Sequence, residues 1–397
     1  MFKFPGVIFF YFLLSISVCT SCFAQKQKFT IYYNSSDEVK EKFYGYITTE
    51  GDTIREGEYR FFLPGGILNQ KGQFKDNKPE GLWKLYYDSG ELHQEIEFKR
   101  GVRHGIYKAY NQNGSLQQEG SYLYGRLNGE FVSYYPDGKK ESISKYRDGV
   151  QEGIVKIFYP NGKIYRRFEL KNGAENGVWQ MHYENGNINY DGFKRNGEFT
   201  DTLKVYYENG ALQRKAYYED GIIRGEYRAF HTNGEIKIKA HYKSGILEGS
   251  YKEYFANGQV LQEGVYENNK KEGVWRSYYN DGSLHAIGYF TNDYFSGNWR
   301  VYHPNGTLKQ VGVYKNGKAE GFWKFFYDSG KIKSYGIYND DKKQGIWLQH
   351  KYLGDINTAS ISYYVEGRIK KGFLSFEDAR EKSGLLYIEG VPLIIHN

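Results

Sequence analysis

Residues 81–104 read GLWKLYYDSGELHQEIEFKRGVRH. Two β-prone runs, Leu82–Tyr87 and Leu92–Lys99, flank Asp-Ser-Gly, and a second turn, Lys99-Arg100-Gly101-Val102, follows. Short runs of this kind separated by a Gly-bearing pair predict a β-hairpin, because tight hairpin turns need positive φ. A two-residue turn at Ser89-Gly90, with both residues at positive φ, predicts the register. Asp88 faces Glu91, Tyr87 faces Leu92, Leu85 faces Gln94, Trp83 faces Ile96 and Gly81 faces Phe98. Since side chains alternate along a strand, Gly81, Trp83, Leu85, Tyr87, Leu92, Ile96 and Phe98 then share one face.

The same block begins again at Gly105, Gly129, Gly153 and Gly177, a period of 24 that runs unbroken from Gly57 to Gly345. Of thirteen starts, twelve are Gly and one is Asp201. Nine residues on, all thirteen blocks carry Gly, usually after Asn, Asp or Ser. Two residues on, eleven are aromatic, including all six Trp: Trp83, Trp179, Trp275, Trp299, Trp323 and Trp347. The cross-strand partner expected for this aromatic is often small (Gly120, Gly264, Gly288, Gly312, Gly336), a large-against-small pairing that marks a packed face. The reading is therefore all-β: an elongated, open-ended array of 24-residue hairpins with small terminal caps. Residues 57–367 hold the thirteen repeats, 25–56 an N-terminal cap and 368–397 a C-terminal cap. Within the last, Ser375-Phe376-Glu377-Asp378 predicts a short helix over 375–383. Leu385–Glu389 and Pro392–Ile395 predict a closing strand pair around Gly390-Val391.

Composition agrees. The 397 residues include 41 Tyr, 26 Phe and 48 Gly but only 7 Pro, too aromatic for a disordered chain and too poor in Pro for collagen. The net charge of +7 is mild and mixed in sign, so no nucleic-acid partner is expected. Residues 1–24 have a Lys3-bearing start, an apolar stretch from Val7 to Val18 and small residues at Ser21 and Ala24, the pattern of a secretory signal peptide. Cleavage after Ala24 and lipidation of Cys22 are the competing fates, with an uncleaved anchor a minor third, since the apolar run is short for a span. In all cases the remainder is exported to the periplasm, the cell envelope or the medium. Both cysteines, Cys19 and Cys22, lie in this leader, which leaves no thiol chemistry, disulfide framework or Cys-based zinc site downstream.

The face opposite the tryptophans carries a basic stripe beside a tyrosine stripe. Three residues after the start, ten of thirteen are Lys or Arg; five after, eleven are Tyr or Phe. The candidate binding residues are Lys84, Tyr86, Lys108, Tyr110, Lys204, Tyr206, Lys252, Tyr254, Arg276, Tyr278, Arg300 and Tyr302. Glu95, Glu119 and Glu263 stand across from some of the cations. The bland reading is a solvated face, with lysine stems over tyrosine rings and short ion pairs. The functional reading is a repeated surface whose weak contacts add by avidity. The nine His are scattered, with His182 and His350 in the tyrosine slot and His231 and His303 in the next, as aromatic substitutions within the repeat and not a catalytic set. No nucleophile, metal-ligand or phosphate-loop pattern occurs, so neither an enzyme nor a cofactor is expected.

The block Gly-x-Trp-Lys-x-Tyr-Tyr-x-Asn-Gly-x-Leu, followed by Gly-x-Tyr-x-x-Gly-x-x-x-Gly, resembles the variant MORN repeat of bacterial proteins often labelled the YwqK-type antitoxin family. Gly297–Gly321 and Gly321–Gly345 carry the pattern best. The resemblance spans roughly residues 57–367 and implies a hairpin array used for binding or scaffolding. Three expectations follow: an exported scaffold for a protein partner, a binder of envelope glycan or lipid headgroups, or antitoxin-like neutralisation of a toxin.

Overall fold

The computed structural model describes residues 25–34, 36–351, 360–373, 387–388 and 391–392. The leader at 1–24 with Cys22, the helix expected over 375–383, and Gly354 lie outside them. The chain forms two compact units, one running to Lys140 with Tyr146–Gly149, the other holding Glu141–Lys145 and the chain from Val150 onward. In each, the strands pair antiparallel with sequence neighbours, except that Gly129–Tyr134 pairs with Leu116–Leu123, past the short Arg126–Leu127, and that Tyr387–Ile388 and Val391–Pro392 pair only with each other; there is no helix among the described residues. Lys78–Tyr86, Leu92–Lys99, Val102–Tyr110 and Leu116–Leu123 represent the first unit. Lys270–Tyr278, Leu284–Thr291, Tyr294–Tyr302 and Leu308–Lys315 represent the second. The divergent N-terminal stretch is built alike, with Gln27–Tyr32, Val39–Ile47 and Thr53–Phe62 paired in succession. At the other end Tyr387 pairs with Pro392 and Ile388 with Val391, so Val391 belongs to the strand and not to the turn expected there.

The hairpin register holds through the body, with Gly81 opposite Phe98, Trp83 opposite Ile96 and Leu85 opposite Gln94. At the tip it differs from expectation. Tyr86, not Tyr87, faces Leu92, and Tyr87 N–H donates to the Glu91 carbonyl at 2.9 Å. Gly90 N–H donates to the Tyr87 carbonyl at 2.9 Å, and of the loop residues only Gly90 has positive φ, +96°. This is a three-residue loop, a type I turn closed by a left-handed glycine. Leu92 therefore shares a side with Tyr86, and the extra residue His93 stacks on Tyr87, ring centroids 4.2 Å apart. The turn with two positive φ values is the other one, between hairpins: Arg100 and Gly101 (+51°, +83°), Asn172 and Gly173 (+53°, +78°), Asn316 and Gly317 (+51°, +81°). There Lys99 faces Val102 directly.

Side chains fix the turns to one another at the period of the sequence. The Glu before a block start caps the first turn residue twenty positions on. Glu80 accepts from Arg100 N–H at 2.6 Å, Glu272 from Asn292 at 2.9 Å and Glu320 from Asp340 at 3.0 Å. The second of the paired tyrosines reaches the next hairpin's tip. Tyr87, Tyr159, Tyr183, Tyr207, Tyr279 and Tyr327 each donate a hydroxyl to a backbone carbonyl 23 residues ahead, at 2.7–2.8 Å. Asn161, Asn185, Asn233, Asn257 and Asn305 of the tip Asn-Gly pairs do likewise with their amides, as Asn233 to the Ala256 carbonyl and Asn305 to the Asp328 carbonyl. The block therefore keeps Glu-Gly, Tyr-Tyr and Asn-Gly because each satisfies backbone groups of its neighbour.

Two kinds of glycine support the core. Gly81 has φ +68° with open space around a hypothetical Cβ, so backbone conformation selects it; Asp201 adopts the same region at +65°. Gly288 is extended, and a Cβ there would lie 2.1 Å from the Trp299 ring. The same holds for Gly72, Gly264, Gly312 and Gly336 under Trp83, Trp275, Trp323 and Trp347. Each indole covers the glycine of the preceding hairpin, not the in-register partner expected within its own. Toward the following hairpin, cross-strand pairing skips these glycines, since Ile287 pairs with Arg300 and Tyr289 next with Ser296. The indole N–H takes a carbonyl released nearby: Trp83 donates to Gln73, Trp275 to Val265, Trp299 to Tyr289 and Trp347 to Ile337, at 3.0–3.1 Å. All five rings are buried. In the second unit they interleave edge-on with the aromatics seventeen residues after each start. The series runs Tyr266, Trp275, Phe290, Trp299, Tyr314, Trp323, Tyr338, Trp347, with successive centroids 4.9–6.2 Å apart.

Candidate functional site

Directly opposed residues of adjacent strands stand on the same side of a sheet, so a position repeated in every block becomes a row across the strands. On the side away from the tryptophans, the cation slot pairs with the residue fourteen after each block start. In the first unit the row reads Arg60, Lys71, Lys84, Glu95, Lys108, Glu119. In the second it includes Asp191, Lys204, Lys215, Arg228, Lys239, Lys252, Glu263, Arg276, Ile287 and Arg300.

The structure draws some of the expected residues together through carboxylates. Lys84 Nζ lies 2.7 Å from Glu95, which also accepts from Tyr110 Oη at 2.9 Å. Lys108 meets Glu119 at 3.8 Å, and Tyr134 donates to the same carboxylate. Lys252 meets Glu263 at 2.8 Å, and Tyr278 Oη donates to it at 2.8 Å. Each trio joins a cation, an acid on the next strand and a tyrosine of the following block. Burial opposes the charge on Glu95, but hydrogen bonds from Lys84 and Tyr110 outweigh it and hold its pKa low. Glu263 is held low by its bonds to Lys252 and Tyr278, and Lys252 is raised by the same pairing. Burial and the bond to Glu95 push Tyr110 up to about 12; burial and Glu119 do the same to Tyr134. These tyrosine hydroxyls are thus engaged within the protein.

Other members stand apart. Tyr86 carries the Lys71 ammonium over its ring at 5.6 Å, and Tyr254 carries that of Lys239 at 5.8 Å. Tyr206 and Tyr302 serve through their backbone carbonyls, which take the hydroxyls of Tyr183 and Tyr279. Arg276 and Arg300 flank Ile287 in the row. Lys204 faces another cation, Lys215. Histidine acts as a variant of the tip tyrosine. His231 and His303 place Nε2 at 2.9 and 3.1 Å from the Tyr254 and Phe326 carbonyls. Burial lowers the pKa of His182 and of His350. Among the described residues no group of three or more His, Cys, Asp or Glu is placed to hold a metal ion.

Two features of this face were missed in the sequence. One is the cationic half of the row at Lys215 and Lys239, visible in the residue spacing only once both strands of the hairpin are aligned. The other is a line of exposed apolar side chains beside it: Leu82 and Ile106 in the first unit, and Tyr217, Val265, Tyr289, Val313, Phe322 and Ile337 in the second, 37–50% exposed.

No curated protein matches the chain. Among solved structures it is similar to chains of the TcdB2-TccC3-Cdc42 complex (9% identity, TM-score 0.13) and of TcdB2-TccC3 (10%, 0.15). It is likewise similar to the Photorhabdus luminescens Tc holotoxin pore carrying TccC3-D651A (10%, 0.16). The alignments cover 84%, 88% and 87% of this chain and 25%, 24% and 24% of those chains, so it spans about a quarter of their length. At such TM-scores the likeness supports no functional argument. The model of the MORN repeat variant matches eleven segments between residues 55 and 340, each about one block long, passing over 173–201. These segments cover more than half of the sequence, and the chain belongs to the MORN repeat variant family.

Proposed function

We propose that this repeat protein is an exported, non-enzymatic scaffold that binds a protein partner through the face opposite its tryptophans. The observation that carries the reading is the apolar line at Tyr217, Val265, Tyr289, Val313, Phe322 and Ile337, exposed beside a charged row. Contiguous apolar surface of this kind rimmed by polar groups marks protein contact surfaces. Sugar or headgroup binding would draw on free tyrosines, and several phenols of the stripe are committed to carboxylates instead. Export rests on the leader pattern at residues 1–24.

The test is affinity capture from envelope extract with the full chain and with a Val313→Ser/Ile337→Ser variant. Specific proteins retained by the parent and lost by the variant, at unchanged melting temperature, support the reading. Retention of purified envelope glycan or anionic vesicles, lost on Tyr254→Ala, Tyr278→Ala and Tyr302→Ala, would replace it with the glycan or headgroup alternative.

A further inference from the structure

Lys204, Lys215, Arg228, Lys239 and Lys252 are five consecutive members of one cross-strand row, each directly opposite the next. Like charges set opposite each other destabilise a sheet, so the row costs stability in the free protein. Arg228 is held by Glu226 through two bonds of 2.7 Å, and Lys252 by Glu263. For Lys204, Lys215 and Lys239 no acid lies within ion-pair distance among the described residues. Asp191, opposite Lys204, accepts instead from the Gln180 amide at 2.9 Å. The pKa of Glu226 is lowered first by Arg228 and then by Lys215 and Lys239, so the fields of the unpaired lysines converge on this segment.

We propose that the Lys204–Lys252 row is the docking line for an acidic helix of the protein partner, lying across the strands with one carboxylate per turn facing the sheet. The proposal rests on the scaffold reading above. Its warrant is charge complementarity and pitch. Adjacent strands lie about 4.8 Å apart, so the five cations span roughly 19 Å. Acids at i, i+3/i+4 and i+7 recur once per helical turn of about 5.4 Å, a drift of ~2.4 Å over the row that flexible lysine stems can absorb. An extended peptide presents same-face residues every ~6.7 Å and drifts by nearly 8 Å over the same distance. A nucleic-acid duplex presents a phosphate every ~3.4 Å along each strand, also out of step. On the tip side Tyr206, Phe230 and Tyr254 occupy the slot two residues along from each strand's cation, an apolar shoulder for the helix.

The probe is a labelled Ala-rich helical peptide of six turns with Glu once per turn on one face, compared with an isomer of the same composition whose Glu residues encircle the helix. Binding to the full chain is read by fluorescence anisotropy at low and moderate salt. The striped peptide should bind at least tenfold tighter than its isomer and weaken steeply with salt. Lys215→Gln/Lys239→Gln should lose at least tenfold while melting no lower than the parent, because it relieves repulsion. Lys243→Gln/Lys270→Gln, with the same change of net charge away from the row, should bind like the parent. Equal affinity for the two peptides, no effect of Lys215→Gln/Lys239→Gln, or tighter binding of a single-stranded oligonucleotide or polygalacturonate would overturn the proposal. Should those results occur while the Val313→Ser/Ile337→Ser variant still loses its captured proteins, the scaffold reading stands and the helix line alone fails.

Discussion

Trp179 and Trp299 occupy the same slot of the same repeat in the same unit, yet their surroundings differ throughout. Eleven residues before Trp299 stands Gly288, and the indole lies over its bare backbone, 9% exposed, with its N–H on the Tyr289 carbonyl. Eleven before Trp179 stands Phe168, which pairs with it directly in the ladder. That indole cannot turn over the backbone, and its buried N–H has no partner among the described residues. Seventeen residues after the block start, Phe290, Tyr314 and Tyr338 supply edge-on rings near the other tryptophans, whereas the Trp179 block supplies Lys194. Lys194 and Arg166 both pair with Glu175 and lie over the Trp179 ring at 5.3 and 5.1 Å. One substitution of glycine by phenylalanine thus goes with replacement of the ring seventeen residues after the start by a half-buried ion trio, while Tyr190 and Phe199 still meet the Trp179 ring edge-on at 6.1 and 5.2 Å. The family match passes over this same stretch, residues 173–201.

The contrast is broken most severely by filling the glycine slot where the indole depends on it. A Cβ at Gly312 would stand 2.0 Å from Trp323, so Gly312→Val should cost about 3 kcal/mol by overpacking, read by urea unfolding. Because repeat arrays unfold locally, hydrogen exchange should place the loss in the hairpins around 299–338. The converse change, Phe168→Gly, should let Trp179 turn over the backbone and hydrogen-bond, seen as a shift of its fluorotryptophan resonance toward those of the other five. In the odd block Glu175→Gln leaves two half-buried cations facing each other and should cost about 2 kcal/mol by the same measurement.

Smaller changes sharpen the comparison. Trp299→Phe deletes a bonded N–H and strands a carbonyl, so about 1–2 kcal/mol is expected. Trp179→Phe removes an N–H that has no partner and should be neutral within ~0.5 kcal/mol or stabilising. Equal costs at the two sites would refute the account of the glycine slot. The hairpin tips provide the control. Tyr183 and Tyr279 make the same bond to the next tip, so Tyr→Phe at either should cost about 1 kcal/mol, with no difference between the regions.

Much of this was legible before any coordinates. Period, strand runs, the body register and the buried tryptophan side follow from alternation and turn spacing, because those constraints are local. The tip register was not. A Gly-bearing pair suits both a two-residue turn and a three-residue loop, and the loop found goes with contacts to the next hairpin, 23 residues away, from the Tyr hydroxyl and, where present, the Asn amide. The cross-strand partners expected for Trp275, Trp299 and Trp323 are in place at Gly288, Gly312 and Gly336, but the glycine that each ring covers belongs to the preceding hairpin. Gly288 is opposite Trp275 within its own hairpin but underlies Trp299 of the next, and only the packed backbone distinguishes the two. The basic stripe was found on one strand of each hairpin, and its continuation through Lys215 and Lys239 became visible once both strands were in register.

The smallest effect concerns acid. Glu263 accepts from Lys252 and from Tyr278, and these bonds set its pKa below that of the unfolded chain. A depressed carboxylate contributes stability above its unfolded pKa, near 4.3, and loses that contribution as pH falls through the lower folded value. Glu263→Gln should therefore reduce stability at neutral pH by less than about 1 kcal/mol, since the trio lies at the surface, and the difference from the parent should vanish below the folded pKa. Parallel urea titrations at neutral and strongly acidic pH measure this. The same trio recurs at Lys84, Glu95 and Tyr110, so Glu95→Gln should give a matching acid limb. Among the described residues the Trp179 block carries no such trio in its row, where the Gln180 amide donates to Asp191 at 2.9 Å. A difference between parent and Glu263→Gln that persisted at low pH would mean that the carboxylate acts through packing and not through its charge.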